Sequence, residues 1–227
     1  MTLGKLTKVL AGVFAFGAVC FATPSQAAQP AIDFTTSLTS AIGANYNLGW
    51  EFTVGATDIN VTSLGYFDKD QDGLTDSHQV ALWTSTGTQI VSATVNSGVA
   101  SALTGKFRYT NIASTTLTHG TTYVIGATTG TNDHVAYGDS PTTLTGLTVD
   151  SAITLTQNKQ DDGSHAGLSF PNLHLSTYNL FAGPNFQFAP VGGGGGGGVP
   201  EPGTVGLLIA SGFSSMGLAF RNRKIRK

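Results

Sequence analysis

The sequence predicts an all-β protein: an antiparallel, jelly-roll-like β-sandwich flanked by an N-terminal signal helix and a C-terminal transmembrane helix. Glycine is abundant, at 30 residues, and charged residues make up only 11% of the chain, a composition that suits strands and turns better than helices. β-branched segments with period-two alternation recur between glycine, asparagine and aspartate residues. Long apolar segments lie near the two ends of the 227-residue chain.

Nine segments of the body have the strand pattern: residues 50–54, 59–67, 79–83, 89–95, 107–112, 122–128, 134–137, 152–156 and 186–189. Because they are short and closely spaced, they leave no room for the long crossover connections of a parallel sheet, so we expect antiparallel pairing in two layers. Residues 84–87 predict a hairpin turn between two of them. Alternation places Phe107 and Tyr109 on one face and Arg108 on the other. The polar segment 158–180 is expected to be a loop.

The length allows one globular domain plus address segments. We divide the chain into a signal peptide at 1–28, a β-sandwich domain at 29–191, a poly-glycine linker at 192–198 and a C-terminal tail at 199–227. An unbroken glycine run cannot pack a core, so the linker is expected to act as a flexible tether.

The body is acidic, although the whole chain has a formal net charge of −2. Seven of the 11 basic residues lie in the two end segments and 12 of the 13 acidic residues lie in the body, which therefore carries about −8. Such a domain repels nucleic acid, and we expect no nucleic-acid partner. Cys20 is the only cysteine and lies in the predicted signal, so the mature chain would contain no disulfide.

The N-terminus has the three parts of a secretory signal in order. Lys5 and Lys8 precede an apolar segment at 9–22, and a proline and small residues follow at 23–28. The apolar segment is short for a membrane span and small residues follow it directly. We expect signal peptidase to cut after Ala27 or Ala28.

The C-terminus combines a short motif, an apolar segment and a basic end. Pro200, Glu201 and Pro202 precede an apolar stretch at 203–220, which is near the lower length limit of a helix that crosses a bilayer. The basic residues beyond it would act as a membrane stop and stay cytoplasmic, with the body outside. They are Arg221, Arg223, Lys224, Arg226 and Lys227.

This tail closely resembles the PEP-CTERM sorting signal in the type, order and spacing of its three components. The resemblance implies that a membrane-embedded exosortase recognises Pro200, Glu201 and Pro202 and processes the tail during export, typically in bacteria that make extracellular polysaccharide. It implies transient inner-membrane anchoring, followed by a cell-surface or extracellular location. The alternative is an ordinary single-span anchor with a chance Pro-Glu-Pro sequence.

One acidic motif has the spacing of a cation-binding loop. Acidic side chains alternate along 68–76, and Gly73 permits a sharp turn. An EF-hand is not expected, because Gln79 stands in place of the bidentate glutamate and the flanking segments have strand patterns. Two interpretations stay open: a calcium loop with Ca²⁺ as cofactor, or a tight connection between strands with solvated aspartates. The predicted calcium ligands are Asp68, Asp70, Asp72, the carbonyl of Leu74, and Asp76.

Short motifs along the first half of the body are WEFTV at 50–54, LGYF at 64–67, DGL at 72–74, HQVALW at 78–83 and Gly87. Together they resemble a family of exported bacterial β-sandwich domains of unknown function that often carry PEP-CTERM tails. The resemblance covers about half of the body. It implies a fold and a location but no reaction.

The sequence gives little support to catalysis. No Gly-x-Ser-x-Gly or His-Glu-x-x-His motif occurs, and with Glu51 and Glu201 as the only glutamates, a glycosidase pair would need aspartates. We therefore predict a noncatalytic exported surface or extracellular-matrix protein, sorted by an exosortase-type system and associated with exopolysaccharide.

Two alternative functions stay open. The first is a calcium-dependent carbohydrate-binding module, in which the 68–76 loop holds the ion and aromatic side chains such as Tyr66, Trp83 and Tyr137 stack on sugars. The second is a polysaccharide-degrading enzyme.

Overall fold

The structure is a computed structural model that describes residues 28–35, 37–41, 46–138, 144–163, 165 and 167–191. Most of the predicted signal peptide, at 1–27, lies outside the described residues. So do the linker at 192–198 and the whole sorting tail at 199–227, with its motif at 200–202 and its basic end. The described residues form strands and no helix, and hence none of a length and apolarity that would cross a membrane.

The described chain contains the nine predicted strands and six short ones that lack a recognisable sequence pattern. Three predicted strands, β5, β7 and β10, have the observed bounds. In chain order the strands are β1 (Gln29–Pro30), β2 (Ile32–Asp33), β3 (Leu38–Ala41), β4 (Asn47–Val54), β5 (Ile59–Phe67), β6 (His78–Thr84), β7 (Gln89–Val95), β8 (Ala102–Thr104), β9 (Phe107–Leu117), β10 (Thr122–Thr128), β11 (His134–Gly138), β12 (Thr148–Val149), β13 (Ile153–Gln160), β14 (Leu180–Ala182) and β15 (Pro184–Pro190).

Two five-stranded sheets make up most of the fold. Sheet 1 has the strand order β1-β15-β5-β9-β8, and sheet 2 has the order β13-β4-β10-β6-β7. A three-stranded sheet (β14-β11-β3) and a two-stranded sheet (β12-β2) complete the described part. Every strand pair in it is antiparallel. The all-β, antiparallel fold class is therefore confirmed.

The predicted hairpin joins β6 to β7. The backbone N–H of Gly87 donates to the carbonyl of Thr84 at 3.0 Å, and Gly87 has a φ of 94°, a conformation that glycine adopts without steric cost. Beyond the turn, the two strands pair from Trp83 and Gln89 down to His78 and Val95. The turn residues thus set the register of this edge of sheet 2.

Side chains of the two large sheets meet in one core. Trp50 and Phe52 of β4 contact Phe186 of β15, with ring centroids 5.7 and 5.0 Å apart. Trp50 is fully buried and donates its indole N–H to the carbonyl of Pro184 at 3.0 Å. Burying one large apolar side chain contributes roughly 1.5–3 kcal/mol. These contacts join the facing surfaces of the sheets as in a two-layer sandwich.

The polar segment after β13 packs over the outer face of sheet 2. The amide of Asn47 donates to the carboxylate of Asp161 at 2.8 Å and to the hydroxyl of Ser169 at 2.9 Å. Phe170 lies against Trp83 with ring centroids 6.0 Å apart, so Trp83 is buried although it points away from the core between the sheets. The prediction of a loop over 158–180 is wrong at both ends, because 158–160 belong to β13 and Leu180 begins β14.

The strands give the body two opposite ends. At one, the tether end, β1 pairs with β15, and the N–H of Val191 donates to the carbonyl of Asp58 at 3.0 Å. The N–H of His119, just before β10, donates to the side chain of the same Asp58 at 2.8 Å. β10 has seven residues, so its last residue, Thr128, lies about 20 Å from its first residue, at ~3.4 Å per residue. We call that opposite end, with the loops 68–77 and 129–133, the groove end.

Candidate functional site

The predicted cation loop is closed by a buried arginine. Arg108 of β9 donates from Nε to the carboxylate of Asp68 at 2.6 Å, from Nη2 to the carbonyl of Gln71 at 3.1 Å, and from Nη1 to the carbonyl of Ser101 at 3.1 Å. The guanidinium therefore binds a carboxylate and a carbonyl of the loop, the oxygen types that a hard cation prefers. Alternation along β9 predicts an outward Arg108. The residue is 4% exposed because the loop folds over it.

Asp68 also shapes the turn itself. Its carboxylate accepts the backbone N–H groups of Gln71 at 3.0 Å and of Gly73 at 3.1 Å, as aspartates at tight turns commonly do. Gln71 has a φ of 62° and Gly73 a φ of 121°, both in the region that glycine tolerates best. The glycine of the motif thus serves the turn, as the sequence predicts.

The other predicted calcium ligands have separate surroundings. Asp70 and Asp72 are exposed, and the carboxylate of Asp70 lies 4.0 Å from the ammonium of Lys69. The carbonyl of Leu74 accepts the N–H of Gly98 at 2.6 Å. In the described part of the chain no group of three or more acidic, histidine or cysteine side chains is placed to hold a metal ion. Calcium binding by this loop stays a prediction.

Asp76, the fifth predicted ligand, joins two loops at the groove end. Its carboxylate accepts the backbone N–H groups of Thr131 and Asn132, each at 2.9 Å, and the N–H of Asn132 is the main cause that lowers the pKa of Asp76. Reciprocally, Asp133 accepts the N–H groups of Thr75 at 2.9 Å and of Asp76 at 2.7 Å. Each loop therefore supplies a carboxylate to the backbone of the other.

A buried histidine completes this connection. The ring of His78 stacks on that of Tyr66 with centroids 3.5 Å apart. Its Nδ1 lies 2.8 Å from the carbonyl of Thr128 and its Nε2 lies 2.9 Å from the carboxylate of Asp133. A carbonyl oxygen can only accept, so Nδ1 carries a proton. Burial, with smaller contributions from Asp133 and Asp76, raises the pKa of the Tyr66 phenol, so that group stays neutral at ordinary pH.

Replacing Asp133 by asparagine is expected to reveal an acid-sensitive contribution to stability. Partial burial would raise the pKa of Asp133, but hydrogen bonds from His78, Thr75 and Asp76 outweigh it and hold the pKa below its ordinary value. A folded pKa below the unfolded one gives stability that is present above the unfolded value, roughly 3.9, and is lost as the pH falls through the folded value.

The Asp133→Asn variant should therefore be less stable than wild type by about 1–3 kcal/mol at about pH 7, and by less at about pH 3. Urea unfolding at both pH values measures the difference. Asp70→Asn, at an exposed site, is the control and should change little at either pH. An Asp133→Asn deficit of equal size at both pH values would contradict the assignment.

None of the three aromatic residues that were predicted to stack on sugars is fully exposed. Tyr66 is fully buried and Trp83 is 3% exposed, so neither can stack on an external ligand. Tyr137 is half-buried and packs edge-on against Tyr178, with ring centroids 5.6 Å apart.

An open groove of about 530 Å³ lies at the groove end beside these loops. Its lining comes from the segments around 46, 76–79, 94, 128–131 and 167, which are far apart in the sequence, and for that reason sequence patterns do not reveal it. The lining contains two glycines, Gly130 and Gly167, and glycine is a sequence signal for turns. Their φ values in the structure are 66° and 111°. The groove lining also includes Tyr46, Asp76, Gln79, Thr94, Thr129 and Thr131.

Comparison with known proteins gives two matches. A family model described as a domain of unknown function (DUF4082) matches residues 33–182, and a model of the PEP-CTERM protein-sorting motif matches residues 198–224. No curated protein and no solved structure matches the chain. The first match contains both loops of the groove end, and the second contains Pro200, Glu201 and Pro202. Both resemblances predicted from the sequence are confirmed.

Proposed function

This chain belongs to the DUF4082 family and ends in a PEP-CTERM sorting motif, and from that premise we propose that it is a noncatalytic protein of the cell surface or extracellular matrix, associated with exopolysaccharide. The sorting motif implies export and processing by an exosortase. This motif, at 198–224, begins at the last glycine of the run and is the observation that carries the proposal.

Further proposed steps concern the two ends of the chain. Signal peptidase removes residues up to Ala27 or Ala28, the C-terminal segment at 203–220 anchors the chain in the inner membrane, and the exosortase then acts at Pro200, Glu201 and Pro202. The glycine run at 192–198 serves as the tether of the finished protein.

The arrangement of the body supports this role. Because β1 and β15 pair at the tether end, Gln29 and Val191, the described residue before the glycine run, lie at the same end of the body. A domain held by that end presents its opposite end, with the 68–77 and 129–133 loops, to the surroundings. We treat the body as a jelly-roll-like β-sandwich, which the contacts of Trp50 and Phe52 with Phe186 support.

The bonds that the ionisable side chains make within the body support a noncatalytic role. Asp68 and Arg108 bind each other inside the body, and Asp76 and Asp133 bind backbone N–H groups across two loops. His78 is fully buried between Tyr66 and these loops. Groups in such positions stabilise the fold and are not poised for proton transfer to a substrate.

Replacing Pro200, Glu201 and Pro202 by alanines tests the proposal in the producing bacterium. Wild type is expected in the surface or extracellular fraction, and the variant should remain in the membrane fraction at a larger, unprocessed mass, because the recognition element is gone. Immunoblots of cell fractions measure both.

A matched control replaces Gly193, Gly194 and Gly195 by alanines, which changes three neighbouring residues outside the motif and should leave sorting intact. The proposal fails if wild type is found intact in the cytosol, or if the motif variant is sorted and processed like wild type.

A further inference from the structure

The groove at the groove end has the size and position of a binding site. Its volume of about 530 Å³ lies within the range of roughly 300–1,000 Å³ that is usual for ligand clefts. It lies at the last residue of β10, whereas Val191 binds Asp58, which also binds His119 just before the first residue of β10. A protein attached through its tether would therefore direct this groove away from the attachment point.

The lining contains polar side-chain groups that make no hydrogen bond to other described residues. Among the described residues, the hydroxyls of Tyr46 and Thr94 and the side-chain amide of Gln79 have no hydrogen-bond partner, and they are accessible in the groove. The Thr129 hydroxyl is buried and also has no partner in the described part of the chain, a condition it shares only with Tyr109 there. Hydroxyl and amide groups both donate and accept, so this lining suits a ligand with the same dual capacity.

The charge of the site disfavours anionic ligands. No lysine, arginine or histidine is among the lining residues found for the groove, and the body carries an excess of acidic residues, so an anionic chain meets repulsion without a compensating cation. The carboxylate of Asp76 already accepts the N–H groups of Thr131 and Asn132.

One aromatic ring lies at the edge of the groove. Tyr46 is half-buried at the edge of the groove, and a side chain at position 163 would collide with its ring, so Gly163 lies directly against Tyr46. Aromatic rings with a polar tip suit ligands that have an apolar face and hydroxyl edges. Neutral sugars have both.

We propose that this groove binds a segment of a neutral polysaccharide through Tyr46, Gln79 and Thr94. The assignment rests on the proposed function, which delivers the protein to the cell surface and its polysaccharide matrix, and it names the ligand class and the residues of contact. Tyr46 stacks on a sugar ring, and Gln79 and Thr94 exchange hydrogen bonds with sugar hydroxyls.

The test uses the full chain purified in a detergent without a sugar head group. Calorimetric and NMR titrations employ three neutral hexasaccharides, of glucose in α-1,4 linkage, of glucose in β-1,4 linkage and of N-acetylglucosamine, with hexagalacturonate as the acidic comparison. At least one neutral hexasaccharide should bind with a Kd of about 1 mM or tighter, and hexagalacturonate should bind at least roughly tenfold more weakly.

Two paired variants locate the binding. The double variant Gln79→Ala and Thr94→Ala should weaken the neutral sugar roughly tenfold, because two hydrogen bonds are lost. The matched double variant Gln29→Ala and Thr57→Ala removes the same two residue types from a second groove at the tether end and should bind like wild type. All four side chains are exposed, so unfolding does not obscure the comparison.

Three results would overturn the assignment: none of the neutral sugars binds, hexagalacturonate binds equally well, or the tether-end variant loses as much affinity as the groove variant. Cell fractionation of the Gln79→Ala and Thr94→Ala chain distinguishes a failure of the groove assignment from a failure of the proposed function. The variant should still reach the surface, so a failure to bind sugar with normal sorting rejects the groove assignment alone.

Discussion

Replacing Arg108 by alanine is expected to lower the free energy of unfolding by about 3–5 kcal/mol, because the change leaves the carboxylate of Asp68 buried without its partner. Both side chains are nearly inaccessible, with exposures of 5% and 3%, and Nε lies 2.6 Å from the carboxylate oxygen. The same change also removes the donors to the carbonyls of Gln71 and Ser101. Urea unfolding monitored by tryptophan fluorescence measures the loss.

Two further variants separate the ion pair from simple loss of packing. Asp68→Asn in the Arg108→Ala background should recover part of the stability, because it removes the unpaired buried charge. Lys69→Ala breaks the exposed contact with Asp70 at 4.0 Å and should change stability by less than about 0.5 kcal/mol. An Arg108→Ala variant as stable as Lys69→Ala would show that the arginine does not hold the loop.

Replacing Trp50 by alanine is expected to cost about 3–5 kcal/mol or prevent folding, because it opens a cavity between the two large sheets. The indole contacts Phe52 at 5.2 Å and Phe186 at 5.7 Å, and its loss also leaves the carbonyl of Pro184 unpaired. Thermal unfolding by circular dichroism measures the effect. The control is Val99→Ala, at a residue that is 67% exposed, which should unfold like wild type. A Trp50→Ala variant that also unfolds like wild type would refute the packing of the two sheets.

The sequence predicts strands well where one face is apolar and the strand is long enough to show a period. β5, β7 and β10 meet both conditions, and their predicted bounds agree with the structure. The short strands β1, β2 and β12 have two residues each. Two residues cannot show an alternation, and these strands exist because a partner elsewhere in the chain supplies their hydrogen bonds.

Alternation fails where a distant segment covers the second face of a strand. Trp83 is buried on the outer side of sheet 2 because Phe170 lies on it, and Arg108 is buried because the 68–76 loop closes over it. Neither cover is encoded in the strand that it buries. The period of a strand therefore predicts which side chains can face the core, but not which of the others will be covered.

The candidate site was predictable only in part for the same reason. The spacing of aspartates over 68–76 and Gly73 correctly predicts a sharp turn, but the pairing of Asp68 with Arg108 joins residues 40 positions apart. The contact of His78 with Asp133 spans 55 positions. The groove combines Tyr46, Gln79, Thr94 and Thr129 from four segments, and no local pattern reports such a convergence.

The intact mass of the mature protein, recovered from the surface or extracellular fraction, tests the central claim most directly. The account predicts an N-terminus at Ala28 or Gln29 and a C-terminus near Pro200 to Pro202, so the mass lacks both the segment at 203–220 and the basic end. A surface protein that retains Lys227, or a cytosolic protein that retains Met1, would contradict it.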